Sequence, residues 1–259
     1  MRVLYVAPRY HTNQTAIMKG WIDSGNEVCF MTHYAGKLED YGVLRPELIG
    51  YSYLFTGLNT LYLAIFGRKK EYASNMKLKF GFPPILKLYR HMKRFAPDVV
   101  ITRERSIYTI CVTLLCRWKR WPVILYNQSP AYEAVKKDIG HRIMYGLTPA
   151  YRITPVLKSA RFQLQKEIPE KTYYLPFVME PYVSPENKSY CKEGKIHLFS
   201  IGKYQKRKNH ELIIRIAERL SRKYPIHLTI AGEVSDTIQE EYYLKLKKYI
   251  EVNLLADKI

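Results

Sequence analysis

The chain has 259 residues, 47% hydrophobic and 25% charged, with Lys+Arg 42 against Asp+Glu 23 for a net charge of +19. That composition excludes a disordered tail and suits one large globular domain or two modest ones. The charge excess calls for anionic partners: phosphates, nucleic acid or an anionic membrane face.

From the N-terminus, residues 3–7 read as a buried strand, interrupted by Pro8-Arg9 and too short for a signal peptide. Residues 15–24 read as a helix with Ile17 and Trp21 on one face and Gly25 as its C-cap, and 28–32 as a second strand. Strand, helix, strand within about thirty residues is a βαβ unit and predicts a parallel sheet. His11 and Asn13 stand in the loop after the first strand, where open α/β sheets build their clefts. A loop histidine is more often simply solvated, so His11 has both readings.

Residues 34–75 are broken by Gly36, Gly42, Pro46, Gly50, Gly57 and Gly67. Within them, 54–66 is dense in apolar side chains, a helix or hairpin that faces either the core or a membrane. Arg68, Lys69 and Lys70 follow directly. Aromatic and aliphatic residues beside a cation cluster are the make-up of an interfacial segment, and equally of a core element with a solvated basic turn. The stretch falls short of a spanning helix.

Pro83-Pro84 opens a helix carrying Leu86, Tyr89 and Met92 or Lys93 toward Phe95, and Ala96-Pro97-Asp98 ends it before a strand at 99–102. A helix at 106–118 places Cys111 and Cys116 on different faces. Together with Cys29 and Cys191 these show no C-x-x-C and no metal-ligand spacing, so reduced thiols and no metal are expected. The run Arg117 to Trp121 is either a lipid headgroup contact or a charged helix end. A strand at 123–126 leads into Asn127-Gln128-Ser129, and a strand end of this kind makes Asn127 and Gln128 cleft-lining candidates. Helices at 132–147 and 159–166 then alternate with strands at 153–156 and 172–178. Residues 181–195 are polar, with two prolines and no periodicity, and read as a hinge.

Beyond the hinge, 196–201 reads as a strand and Gly202 ends it. Lys203, Lys206, Arg207 and Lys208 crowd the next loop, and Asn209 is an N-cap with Glu211 in the first helical turn. Ile213, Ile216, Ala217 and Leu220 follow at helical spacing. A strand at 226–231 ends in Gly232-Glu233, and a helix runs to about residue 251. Orphan N–H groups, the helix dipole and lysine ammoniums all favour an anion at the basic loop, although a solvated loop has the same sequence.

Gly202-Lys203-Tyr204, three spacer residues, Lys208-Asn209-His210-Glu211 and the helix beginning Leu212-Ile213 resemble the donor-domain loop of family 4 glycosyltransferases of the GT-B fold. That loop typically reads Gly-Arg-Leu, a spacer, then Lys-Gly or Lys-Asn. The opening residues 1–32, Phe-Ala-Pro-Asp-Val-Val-Ile-Thr at 95–102 and the unit ending near Pro181 resemble the N-terminal domain of the same enzymes. The resemblance implies an α/β protein of GT-B type: a Rossmann-like acceptor-side domain over 1–180, a hinge over 181–195 and the first part of a Rossmann-like donor domain over 196–259. It implies a retaining glycosyltransferase that moves a sugar from a UDP- or GDP-linked donor to a saccharide or lipid-linked acceptor, in polysaccharide or glycolipid synthesis, with no cofactor and no metal. By position, Gly202, Lys203 and Lys208 would hold the donor diphosphate, with Lys203 standing where the family has Arg. Asn13, Asn127, Gln128 and Glu233 are the cleft-lining candidates and His11 the catalytic one.

The family's Gly-Gly pair after the first strand is replaced here by His11-Thr12-Asn13-Gln14. Its Glu-x7-Glu segment is not reached by Ile259, so a C-terminally incomplete, inactive chain is the expectation. A GT-B nucleotide-sugar epimerase, which needs no acceptor, is the rival enzyme. A non-catalytic basic module on a membrane or anion is the rival outside enzymes. No helix-turn-helix, RNP-like or zinc-finger pattern supports nucleic acid. The expected location is the cytoplasm, peripheral on the inner face of the plasma membrane.

Overall fold

The computed structural model describes residues 1–36, 39–66, 78–103, 105–131, 139–156, 170–178, 186, 191, 194–234 and 237–259. The chain divides into two compact units, Met1–Glu180 and Pro181–Ile259. In the first, β1 (Arg2–Ala7), α1 (Thr12–Asp23) and β2 (Glu27–Thr32) form the opening βαβ unit, followed by β3 (Glu47–Leu48) and α2 (Tyr53–Phe66). Then come α3 (Ile85–Phe95), β4 (Val99–Arg103), α4 (Ile107–Lys119), β5 (Val123–Tyr126), α5 (Ile139–Leu147), β6 (Arg152–Thr154) and β7 (Thr172–Tyr174).

The seven strands form one sheet in the order β3-β2-β1-β4-β5-β6-β7, and every neighbouring pair is parallel. Strand alternation sends successive side chains to opposite faces. Leu4 and Val6 join Met31 and Val100 under Leu88 and Met92 of α3 and Tyr108 and Val112 of α4. Val3, Tyr5 and Ala7 join Phe30 and Ile101 under Met18 of α1 on the other face, where Tyr5 stacks on Phe30 at 4.9 Å between centroids. Burial of such side chains contributes about 1.5–3 kcal/mol each. Strands buried on both faces read as unbroken apolar runs, which made β1 and β4 legible in the sequence.

Several elements depart from expectation. Of the helix or hairpin expected around 54–66, residues 53–66 form the helix, but most of its apolar side chains face outward. The buried pair of α3 is Leu88 and Met92, and Leu86 is exposed. Ser106 caps α4 from outside: its Oγ accepts from the Thr109 N–H at 3.2 Å. β6 stops at Thr154 because Pro155 has no N–H for the ladder, and Pro176 follows β7 with the same defect. The helix expected at 159–166 and most of the hinge expected at 181–195 lie outside the described residues, as do 132–138 before α5. All four cysteines are free thiols, with Cys116 buried and Cys191 exposed.

The second unit pairs β8 (Ile196–Ile201) with β9 (Ile226–Ala231) in parallel, with α6 (His210–Leu220) between them and α7 (Thr237–Val252) after. Ile214, Ala217, Leu228, Tyr242, Leu246 and Leu255 form its core. The buried positions of α6 are His210, Ile214 and Ala217. The expected Ile216 and Leu220 face solvent, so the stripe is rotated. The Leu228 N–H donates to the Lys258 carbonyl at 2.7 Å, which lays the backbone at 258 alongside β9.

Candidate functional site

Sheet order decides where the first unit can bind anything. The chain runs from β1 to β2 and β3 on one side and then crosses to β4 on the other, so the carboxyl ends of β1 and β4 flank the topological switch point. Open α/β sheets bind ligands in the crevice outside that point. A cleft of about 420 Å³ lies there, lined by Pro8 and His11 after β1, Tyr34 after β2, Lys79, and Arg103 and Arg105 at the end of β4. Three cations line it, and no carboxylate does among the described lining residues.

The surrounding contacts hold these groups in place. Arg9 Nη1 pairs with Glu39 at 3.2 Å, and Arg9 Nε–H donates to His11 Nε2 at 3.1 Å. The His11 N–H donates to Gln14 Oε1 at 2.8 Å, tying the loop to the first turn of α1. The Arg105 guanidinium lies 3.8 Å over the Tyr145 ring, and Arg103 is buried. Burial raises the Tyr34 hydroxyl above the usual phenol range, against the pull of Arg9 and Arg103. Converging guanidinium and ammonium groups can neutralise and orient a phosphate or carboxylate.

In the second unit, Gly202 and Gly232 end β8 and β9 side by side, and the Gly202 N–H donates to the Ala231 carbonyl at 2.9 Å. A Cβ at 232 would collide with the Gly202 carbonyl oxygen, so glycine is required there. A Cβ at 202 would press on Lys208, whose Cε lies 3.2 Å away, so the lysine stem runs over Gly202. Residues Lys206–Lys208 make one 3₁₀ turn. Asn209 then takes a left-handed conformation at the N-cap position, and its side chain makes no cap hydrogen bond. The expected Asn209 cap is therefore one of position only. The neighbouring His210 is buried, with Nε2 at 3.2 Å from the Lys203 carbonyl.

Lys203 Nζ pairs with Glu233 Oε2 at 3.0 Å, so two of the residues singled out in the sequence meet across the strand ends. Lys208 is exposed, and no carboxylate among the described residues pairs with it. Glu211 accepts from Arg215 at 2.6 Å and Lys245 at 3.1 Å, and the Lys245 bond leads in holding its carboxyl below the usual range.

No family model matches the chain, and no curated protein matches it in sequence. Solved structures do. A UDP-N-acetylglucosamine 2-epimerase from Rickettsia bellii superposes with a TM-score of 0.50 at 12% identity, over 100% of this chain and 67% of that one. The fold is of the GT-B type. S. aureus MnaA in a co-structure with UDP gives 0.49 at 12% identity, over 95% of this chain and 65% of its own. The Neisseria meningitidis UDP-GlcNAc 2-epimerase bound to UDP-GlcNAc gives 0.44 at 13%, over 100% and 76%. The chain thus spans about two thirds of the length of the first two.

Of the candidates read from sequence, the structure brings His11 into the switch-point cleft and gathers Gly202, Lys203, Lys208 and Glu233 at the ends of β8 and β9. Asn13 lies in the first turn of α1 with its Oδ1 buried. Asn127 is buried, and its Oδ1 accepts from the Ser129 N–H at 2.6 Å, so it shapes the turn after β5. Gln128 is half-buried beside it. Arg103, Arg105 and Lys79 were missed. The signal was present: two arginines directly after a buried strand, where a parallel sheet opens its crevice.

Proposed function

We propose that the chain acts on a nucleotide sugar and binds the diphosphate of a UDP or GDP group through Gly202, Lys203 and Lys208 in the second unit. The observation that carries this reading is the Lys208 stem laid over Gly202, one residue before the N-cap of α6, on a fold of the GT-B type. A helix N-terminus and a nearby ammonium act on the same anion. No metal is needed for that role, because the cation and the backbone N–H groups supply the positive field.

Two chemistries compete. The likeness to UDP-N-acetylglucosamine 2-epimerases favours epimerisation of a UDP-linked sugar, a reaction with no acceptor. The loop motif, with the cation-lined cleft, favours the glycosyltransferase expected from sequence, with an anionic saccharide or lipid-linked acceptor in the cleft. We place the epimerase reading first, since it has the support of the fold neighbours, and the transferase second. Incubation with UDP-N-acetylglucosamine alone separates them: an epimerase yields the C2 epimer without acceptor, whereas a transferase leaves the sugar unchanged and releases UDP only when acceptor is added.

The shared binding step has its own test. A hydrogen bond to a charged group is worth about 1.5–3 kcal/mol, so Lys208→Ala should weaken UDP or GDP roughly ten- to hundredfold in calorimetry. Lys203→Arg should keep or tighten binding, because the fork can hold Glu233 and a phosphate oxygen together. Equal affinity of Lys208→Ala and wild type would remove the phosphate site.

A further inference from the structure

We propose that the outward face of α2 docks on an anionic lipid bilayer. The helix has 14 residues and no charged side chain. Leu54, Leu58, Leu61 and Ile65 recur at a spacing that lines one stripe, and they are 67%, 55%, 57% and 63% exposed, with Tyr53 at 95% at the N-terminal end. Among the described residues, the contacts fall on the opposite side: Asn59 is buried, and Phe55 packs its ring against Tyr51 and Phe82 at 5.6 and 5.7 Å. Polar groups on the exposed flank are satisfied within the helix. Thr56 Oγ1–H donates to the Ser52 carbonyl at 3.0 Å and Thr60 Oγ1–H to the Thr56 carbonyl at 2.9 Å. Such a face loses little by leaving water.

Size and charge choose the occupant. At about 21 Å the helix is too short to span a bilayer, and no helix among the described residues is long and apolar enough to cross one. An in-plane position remains for it. Arg68, Lys69 and Lys70 follow the helix in sequence, and Lys79 Nζ lies 5.2 Å from the centroid of the exposed Phe80 ring. Cations that directly follow an apolar helix in the sequence match anionic headgroups above an acyl layer. A second copy would carry its own net charge of +19, which opposes self-association.

The test is co-sedimentation of the full chain with vesicles of phosphatidylglycerol and phosphatidylcholine, or of phosphatidylcholine alone, at low and high salt. The expected result is binding to the anionic vesicles that weakens in salt and on neutral lipid, and that drops about tenfold or more in a Leu58→Glu, Leu61→Glu double variant. Both positions are exposed, so the far-UV spectrum should not change. Leu54→Ser with Ile65→Ser serves if it does. Failure of the wild type to bind anionic vesicles at low salt overturns the proposal. Unchanged binding by the double variant also overturns it, by assigning the affinity to basic charge alone. A dimer in sedimentation velocity that the variant dissolves, with vesicle binding unaffected, would give the face to a second copy instead.

Discussion

At the scale of single residues, burial and register outweigh residue type. His33 follows β2, and its ring stacks on Tyr108 at 3.5 Å between centroids, with Nδ1 buried and unpartnered among the described residues. Burial pushes its pKa down to about 3 from the ordinary 6.5. The native state therefore refuses a proton that the unfolded chain takes up as pH falls below 6.5. Stability is fully present above that value and declines toward pH 3, by up to about 1.4 kcal/mol per pH unit. Urea unfolding at pH 7 and pH 5 should differ by roughly 2 kcal/mol more in wild type than in His33→Phe, which keeps the stack and removes the titration. Equal pH dependence in the two proteins would show that another group carries it. Arg103 and Arg105 make the same point about register, since their place beside His11 follows from β4 pairing with β1, which no local pattern records.

At the scale of elements, the strongest local signals were the apolar strands and the caps. Ser106 illustrates the second kind. Its hydroxyl satisfies one of the orphan N–H groups of α4, and an N-cap serine is worth about 1 kcal/mol. Ser106→Ala should lower the unfolding free energy of the first unit by that amount in urea titrations, while Ser106→Asp should recover part of it. No change in the alanine variant would mean that water replaces the cap, despite the burial of Ser106. Periodicity was a weaker guide to which face a helix buries. In α3 and α6 the apolar residues span a wide arc, and the buried pairs Leu88/Met92 and Ile214/Ala217 are those the sheet happens to meet. In α2, apolar residues occupy nearly the whole circumference, so sequence could state that the segment is hydrophobic but not which side is covered.

At the scale of the whole molecule, the two units carry separate cores, two clusters on the faces of the seven-stranded sheet and one around β8 and β9. The second core is the smaller, and small cores hold less net stability. All three tryptophans, Trp21, Trp118 and Trp121, belong to the first unit. Denaturant titration should therefore show the far-UV signal falling at lower denaturant than tryptophan fluorescence, with UDP moving only the earlier transition. Coincident midpoints by both probes would show one cooperative structure. The sequence by itself determined the parallel α/β class, because continuous apolar strands alternating with helices have no other economical burial. It determined as well that a basic loop precedes a helix after Gly202, because glycine, lysines and helical spacing are all local. Only the tertiary structure decided that Lys203 meets Glu233, that Gly202 and Gly232 abut, and that His11 shares a cleft with Arg103 and Arg105. Those contacts depend on which strand lies beside which, and that order is set by burying both faces of the sheet at once, a property of the assembled chain and of no single segment.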